Sequence, residues 1–323
     1  MKTYTISLIS ALAHVPTSYP ATAYGGIERI VADLSIALQN KGHKVEVYAT
    51  PGSSIKGVPV HIVENELSPR NMKIDSDFVL DFSHFKEYDG DKYSIPFLTD
   101  AVGENPIYPT DFVKCYSVRN GAENGSVVYP GIDISRNLKT KHNPEDYYVF
   151  MSRIMPIKGV QEVIWVAEQL DIPLKIMGAT KGSPFSSYIK AIKEKAKQNH
   201  NIEFIGEVTE EEKLDYLSHA KGLIAHPQWH LTKEGLGESF GIFAVEALAS
   251  GIPVFLPTIP NGCNEIINRK TGCFYDINTP STLKNIVNFK ATNGDCRARA
   301  LYFTSHKYAS SLLDLLQGQY KNL

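Results

Sequence analysis

Two doubly wound α/β domains in tandem are the architecture this sequence predicts, and three observations predict it. Short β-rich apolar runs alternate with stretches of helical periodicity along most of the chain, the pattern of a parallel sheet with crossover helices. The alternation breaks at Pro130 to Asp146, a polar, proline-flanked stretch that reads as an interdomain linker. A length of 323 residues exceeds what one hydrophobic core usually serves.

In the first half, Tyr4, Ile6, Leu8 and Ile9 mark a first strand. The same stretch, MKTYTISLISALAHVP, imitates a weak secretory signal, but it is too polar and too brief for the apolar region of one. A long loop follows, then a helix over about 27–41, because Ile27, Ile30, Val31, Leu34 and Leu38 recur at helical spacing. HKVEVYAT is the next strand, and VPVHIV, DFVLDF, SIPFLT and SVVYP are further ones. The second half repeats the alternation more cleanly: YYVFMSR, GVQEVIWVAEQL, LKIMG, SYIKAIKEKAKQ, IEFIGEV, TEEEKLDYLSHA and GLIAHP read as strand and helix in turn. Thr209 with Glu212 is a capping box and fixes one helix start. An almost wholly apolar helix then leads to the strands IPVFLP and GCFYDI and to helices through residue 323.

Composition narrows the partners. Lysine and arginine number 33 against 35 acidic residues, a balance that gives no field for nucleic acid or an anionic membrane. Cys115, Cys263, Cys273 and Cys296 are widely spread with no CxxC pair, so neither a disulfide framework nor a zinc site is indicated and a reducing cytoplasm fits. No apolar run approaches the ~20 residues needed to cross a bilayer, so any membrane contact is expected to be peripheral.

The chemistry concentrates in GESFGIFAVEALASGIPVF. From Phe240 to Ala249 nearly every position is apolar, which demands a buried helix, yet Glu246 stands in its middle. A carboxylate is almost never fully buried unless it is paired or faces a ligand. A helix start near Ser239 leaves the amides of Phe240, Gly241 and Ile242 as unpaired donors beside Glu238, a ready site for phosphate. Glu246, deep in the helix, cannot bind phosphate but can accept hydrogen bonds from a neutral diol such as a ribose. The alternative is an internal ion pair with a buried Arg or Lys of a neighbouring element. In FMSRIMPIKGV, Arg153 follows a strand and Lys158 precedes a helix, which puts two cations on a loop at the carboxyl edge of a sheet, the usual place for a diphosphate. In YGGIERIVADLSIAL, Gly25 and Gly26 form a glycine turn at another helix start, and two such domains in tandem leave a ligand cleft at their strand ends.

FMSRIMPIKG, IEFIGEV, GESFGIFAVEALASGIPV and YGGIERIVADLSIALQNKGHKVEVYAT resemble, in order and across nearly the whole chain, the motifs of the GT-B-fold glycosyltransferases of family 4, the group 1 type. The resemblance implies two Rossmann-like domains facing a cleft: residues 1–138 on the acceptor side, 139–305 binding the nucleotide-sugar, and a helix over 306–323 returning to the first domain. It implies that Arg153 and Lys158 bind the donor diphosphate, that Glu246 holds the ribose and that Glu238 contacts the sugar. Ser239 to Ile242 and Gly25 with Gly26 then lie against the diphosphate, and Met177, Gly178, Ile205, Gly206 and Glu207 surround the base.

The implied reaction moves a sugar from a UDP-, GDP- or ADP-sugar to an acceptor hydroxyl of a carbohydrate, glycan or glycolipid, with retention of configuration. It requires no metal cofactor, although a non-essential divalent cation is compatible with it. One departure stands out: where relatives carry a histidine near the sugar, FLTDAVG has Val102, leaving His84 or Asp100 as substitutes. Trp229 and His230, in the loop before Glu238, are candidates for sugar or acceptor contact, whereas the Asp89–Asp91 DGD reads as a turn rather than a metal site. Other expectations compatible with this fold are a nucleotide-sugar epimerase, a phosphorylase or a non-catalytic nucleotide-sugar binder. A nicotinamide-dependent dehydrogenase is disfavoured, because no GxGxxG follows the first strand.

Overall fold

The computed structural model describes residues 2–10, 16–19, 25–64, 72–83, 88, 90–95, 105–119, 122–180, 183–228 and 238–320. They form two compact units, Met1–Asp133 with Tyr302–Leu323, and Ile134–Leu301.

The first unit begins with β1 (Thr5–Ile9), β2 (Ser18–Tyr19), α1 (Gly26–Asn40), β3 (Lys44–Ala49), β4 (Ser54–Ile55), β5 (Val60–Ile62), β6 (Phe78–Asp81) and β7 (Tyr93–Ser94). It continues with β8 (Ile107–Tyr108), α2 (Asp111–Arg119) and β9 (Ser126–Val127). Its five-stranded sheet has the order β5-β3-β1-β6-β7 and every pair is parallel. Of the strand predicted at SIPFLT only Ser94 falls in β7, and 96–100 lie outside the described residues. Strands β1 and β6 are buried on both faces, as in a sheet covered on both sides: Ile6, Leu8, Ile9 and Leu80 are wholly buried. Helix α1 turns Ile30, Val31, Leu34 and Leu38 inward, the stripe that its periodicity predicts.

A polar cluster edges this sheet. Glu46 Oε1 accepts from Ser7 Oγ at 2.6 Å and from the Tyr48 hydroxyl at 3.1 Å, and Oε2 lies 2.9 Å from His61 Nε2. Burial alone would raise the Glu46 carboxyl, but hydrogen bonds from Ser7, His61 and Tyr48 outweigh it and hold it below its ordinary 4.5. A depressed carboxyl stabilises the fold above its unfolded value, and that stability is lost as pH falls through the folded value. Glu46→Gln is therefore expected to be less stable than wild type at neutral pH, with the gap closing as pH falls below the ordinary carboxylate range. Urea unfolding at a series of pH values checks this.

The second unit holds α3 (Ser135–Lys139), β10 (Tyr148–Met151), α4 (Val160–Leu170), β11 (Leu174–Met177), α5 (Ser186–Lys197), β12 (Ile202–Gly206) and α6 (Glu210–His219). Then come β13 (Gly222–Ile224), α7 (Ile242–Ser250), β14 (Val254–Pro257), β15 (Gly272–Tyr275), α8 (Lys284–Asn288) and α9 (Asn293–Ala300). The sheet order is β12-β11-β10-β13-β14-β15, parallel throughout. Counted from β10, this is 3-2-1-4-5-6, the Rossmann order. One core joins Phe150, Ile176, Ile224 and Phe255 of the strands to Val160, Val163, Ile164 and Val166 of α4 and to Ile189 and Ile192 of α5. The capping box of Thr209 and Glu212 is present at the start of α6.

One stretch holds more structure than its sequence suggests, and one local expectation is corrected. The stretch read as linker contains α3, and its Asn137, 2% exposed, donates to the Glu246 carbonyl at 3.3 Å and to Ser250 Oγ at 3.1 Å. Ser135, Arg136, Lys139, Lys141, Asn143, Glu145 and Asp146 of the stretch are exposed, and the break between the two units, Asp133 to Ile134, falls within it. The apolar helix starts at Ile242, not near Ser239, because Gly241 caps it at φ +99° in the left-handed region and Phe240, 1% exposed, is a core residue before the turn.

The chain then rejoins the first unit. Ile132 forms a parallel bridge with Thr304, and α10 (Ser305–Tyr320) packs on α1, burying Tyr308, Ala309, Leu312 and Leu316.

Candidate functional site

In the second unit the sheet order reverses between β10 and β13, so the loops leaving their carboxyl ends diverge and frame a crevice, the place where such sheets take ligands. These loops carry Arg153 and Lys158 on one side and the approach to α7 on the other. They touch at Gly159, where φ is +68° and a Cβ would run into the His226 carbonyl oxygen, so only glycine fits. The Gln228 N–H closes the contact with a 2.9 Å bond to the Ile157 carbonyl.

A single 3-10 turn, Pro156–Lys158, presents Lys158. Its Nζ donates to Glu238 Oε2 at 2.8 Å, with side chains 11% and 17% exposed. Glu238 lies three residues before Gly241, and its carbonyl accepts from the Gly262 N–H at 2.9 Å. Gly241 in turn packs on Cys263, whose Cβ would be 2.6 Å from an added methyl. Burial foremost, and then the Glu238 charge, push the Cys263 thiol well up, with Lys158 pulling the other way. The thiol therefore stays protonated and is a spacer rather than a nucleophile. As the first residues of α7, Ile242 and Phe243 have no acceptor within the helix for their N–H groups, and both side chains are half-buried. Lys158, Glu238 and the positive end of α7 thus meet around Cys263, and an anion there would find a cation and a helix dipole together. Arg153 is exposed on the same β10 loop.

Glu246 is 4% exposed and its Oε1 accepts from Lys213 Nζ at 2.7 Å. Lys213, on α6, also donates to Glu210 Oε1 at 2.6 Å. The internal ion pair named as the alternative for this carboxylate is present, and it is how a wholly apolar helix tolerates a charge. Lys213→Met is expected to cost about 3 kcal/mol of stability, because it leaves a buried carboxylate uncompensated. Denaturant unfolding measures this, and Lys213→Arg should restore most of it.

Lys213 was not legible as the partner of Glu246: Glu210 and Lys213 look like a solvated pair one turn apart, and nothing in the sequence joins them to a residue 33 positions on. Asn261 was missed too. It is 1% exposed and its Nδ2 donates to the carbonyls of Pro227 at 3.1 Å and Ile259 at 3.0 Å, tying the β13 loop to the β14 loop. Its position after a proline in a loop was the available signal.

At the ends of β11 and β12, Gly178 N–H donates to the Gly206 carbonyl at 2.8 Å and Thr180 N–H to Glu207 Oε1 at 2.9 Å. Met177 is buried and Ile205 half-buried, while Glu207 is exposed. Gly25 caps α1 in the first unit with extended backbone, and Gly26 opens that helix. His84, Asp100, Val102, Trp229, His230 and Asp89 lie outside the described residues. No helix among the described residues is long and apolar enough to cross a membrane.

The model of the glycosyl transferases group 1 family matches residues 132–301, and the chain belongs to that family. Among solved structures, AviGT4, a glycosyltransferase involved in avilamycin A biosynthesis, has a TM-score of 0.78 at 23% identity over 97% of each chain. A glycosyltransferase from Rickettsia africae ESF-5 gives 0.74 at 15% identity over 100% of each chain. HepE from Anabaena, solved in complex with UDP and glucose, gives 0.72 at 14% identity over 97% of this chain and 99% of its own. At these identities the likeness is one of fold, and the fold is GT-B. No curated protein sequence matches the chain.

Proposed function

We propose that this glycosyltransferase moves a hexose from a nucleoside-diphospho sugar to a hydroxyl of a carbohydrate, glycan or glycolipid, with retention of configuration. One observation carries the reading: Lys158, Glu238 and the amino end of α7 converge at the point where the strand order of the second sheet reverses. A departing diphosphate is the anion that this arrangement suits. Lys158 exchanges Glu238 for the diphosphate, the first amides of α7 take further phosphate oxygens, and Arg153 adds charge from the same loop. Charge placed beforehand where it develops lowers the barrier without reorganisation. Glu238, released from Lys158, then turns to the sugar, and the Glu246 carboxylate accepts from a ribose hydroxyl.

HepE was solved with UDP, which makes uridine the first base to try. We place the reaction in the cytoplasm, peripheral to any membrane that carries the acceptor, in keeping with the cysteine usage. A nucleotide-sugar binder without turnover is the second reading, favoured by Val102 at the position where the resemblance expects a histidine.

A thermal-shift panel of UDP-, GDP- and ADP-sugars tests the donor. A ligand at about a hundred times its dissociation constant adds about 2.7 kcal/mol of apparent stability. One nucleotide should raise the melting temperature, and if none does, the donor reading fails. Transfer or hydrolysis of the sugar on the stabilising nucleotide then separates an enzyme from a binder.

A further inference from the structure

We propose that a cavity of about 500 Å³ at the carboxyl ends of β13, β14 and β15 is a second ligand site, one that takes an uncharged polyhydroxyl molecule the size of a monosaccharide. The donor reading does not enter the argument.

The floor is polar and incompletely used. Glu162, in the first turn of α4, lines the cavity, and its Oε2 is buried with no hydrogen-bond partner. Gln228, 6% exposed, lines it too, held in place by the bond from its main-chain N–H to the Ile157 carbonyl. A buried carboxylate oxygen left in this way costs free energy that a ligand can recover. Beside them, the Tyr275 hydroxyl donates to the Ala225 carbonyl at 2.9 Å. It therefore accepts from His226 Nδ1 at 3.1 Å, which assigns the ring proton to Nδ1. Burial foremost, and then the Glu162 charge, push the Tyr275 hydroxyl well up, so it keeps its proton across the ordinary pH range.

The rim is fixed as well: the Asp276 carboxylate accepts from the Asn278 N–H at 2.9 Å and from Thr279 Oγ1 at 3.0 Å. Two features choose the ligand class. Carboxylates of Glu162 and Asp276 line the cavity without any lysine or arginine among the described residues, so phosphates and nucleotides are repelled. Acceptors and amides beside the apolar wall of Ile259 and Ile277 match the hydroxyls and the C–H face of a sugar ring.

The cavity is also apart from the Glu246 carboxylate. Helices α4 and α5 return the chain along one direction of the sheet, from β10 to β12, and α7 serves the opposite direction, so they cover opposite faces. Glu162 belongs to α4, whereas Glu246 and Lys213 belong to α7 and α6, which pack together.

Saturation-transfer NMR on the full chain with free glucose, galactose, mannose and N-acetylglucosamine tests the proposal, with and without saturating UDP, GDP or ADP. We expect at least one hexose to give a saturable signal that persists under nucleotide. Its apparent Kd should rise by about tenfold or more in Glu162→Gln and in Gln228→Leu. Asn278→Ala, at the rim, should weaken it without touching the buried floor, and serves if either floor variant fails to melt cooperatively. The proposal is overturned if no hexose gives a signal, if the signal ignores folded variants, or if nucleotide displaces it. Loss of nucleotide binding in Lys158→Ala would leave the hexose signal in place, so the two sites fail separately.

Discussion

Lys158→Ala is expected to lower kcat/KM for glycosyl transfer by about 10²–10³-fold, the cost of removing one preorganised group from a developing negative charge. The fold should survive. Lys158 sits on a 3-10 turn at the mouth of a loop rather than in the core, and its partner Glu238 keeps enough exposure, 17%, to be rehydrated when the ammonium is gone. The expected stability loss is about 1–2 kcal/mol, between that of an exposed and of a fully buried pair. Steady-state kinetics with urea unfolding of the same preparation checks both halves. Normal turnover by a folded variant would mean that the diphosphate lies elsewhere. Lys158→Arg should recover only part of the rate, because a planar fork replaces a compact charge on a short turn.

Glu238→Gln carries the second large effect, and its two parts have opposite sign. The Glu238 carboxylate holds the Lys158 ammonium at 2.8 Å, and under the proposed function it must give that ammonium up to the diphosphate. Making it neutral removes both the competition and a negative charge beside the incoming phosphates. Nucleoside diphosphate should then bind about fivefold tighter, roughly 1 kcal/mol. Transfer should fall by about tenfold or more, the size expected for one lost charge-assisted hydrogen bond to the sugar. Calorimetric titration with the diphosphate and initial rates with the intact donor separate the two. Weaker diphosphate binding in the variant would show that Glu238 orders the loop rather than occupying the anion's place.

Much of this was legible in the sequence because it rests on local signals. Strand periodicity located β1, β3, β6 and every strand of the second sheet, and Thr209 with Glu212 placed the start of α6. The order of motifs gave the family. What escaped depended on backbone sign or on distant partners. The spacing places Gly241 inside a helix that starts near Ser239, whereas its positive φ ends the extended segment and moves the helix start to Ile242. Within the polar run that joins the two units, Asn137 has no visible reason to be buried until α7 is set beside it. The candidates Lys158 and Glu238 meet in space, 80 residues apart in the chain, and only folding could show that they pair with one another. Glu246 had two readings, and spacing along one helix carries no information about a lysine on another.

The discontinuous first unit sets a schedule for synthesis. Residues 134–301 form a contiguous unit that can close as soon as it emerges from the ribosome. The amino-terminal sheet, made first, must wait for α10 to cover α1, a delay of roughly 10–40 s at ordinary elongation speeds. During that interval the face of α1 that α10 covers stays open to solvent, and the nascent chain is most exposed to misassociation there.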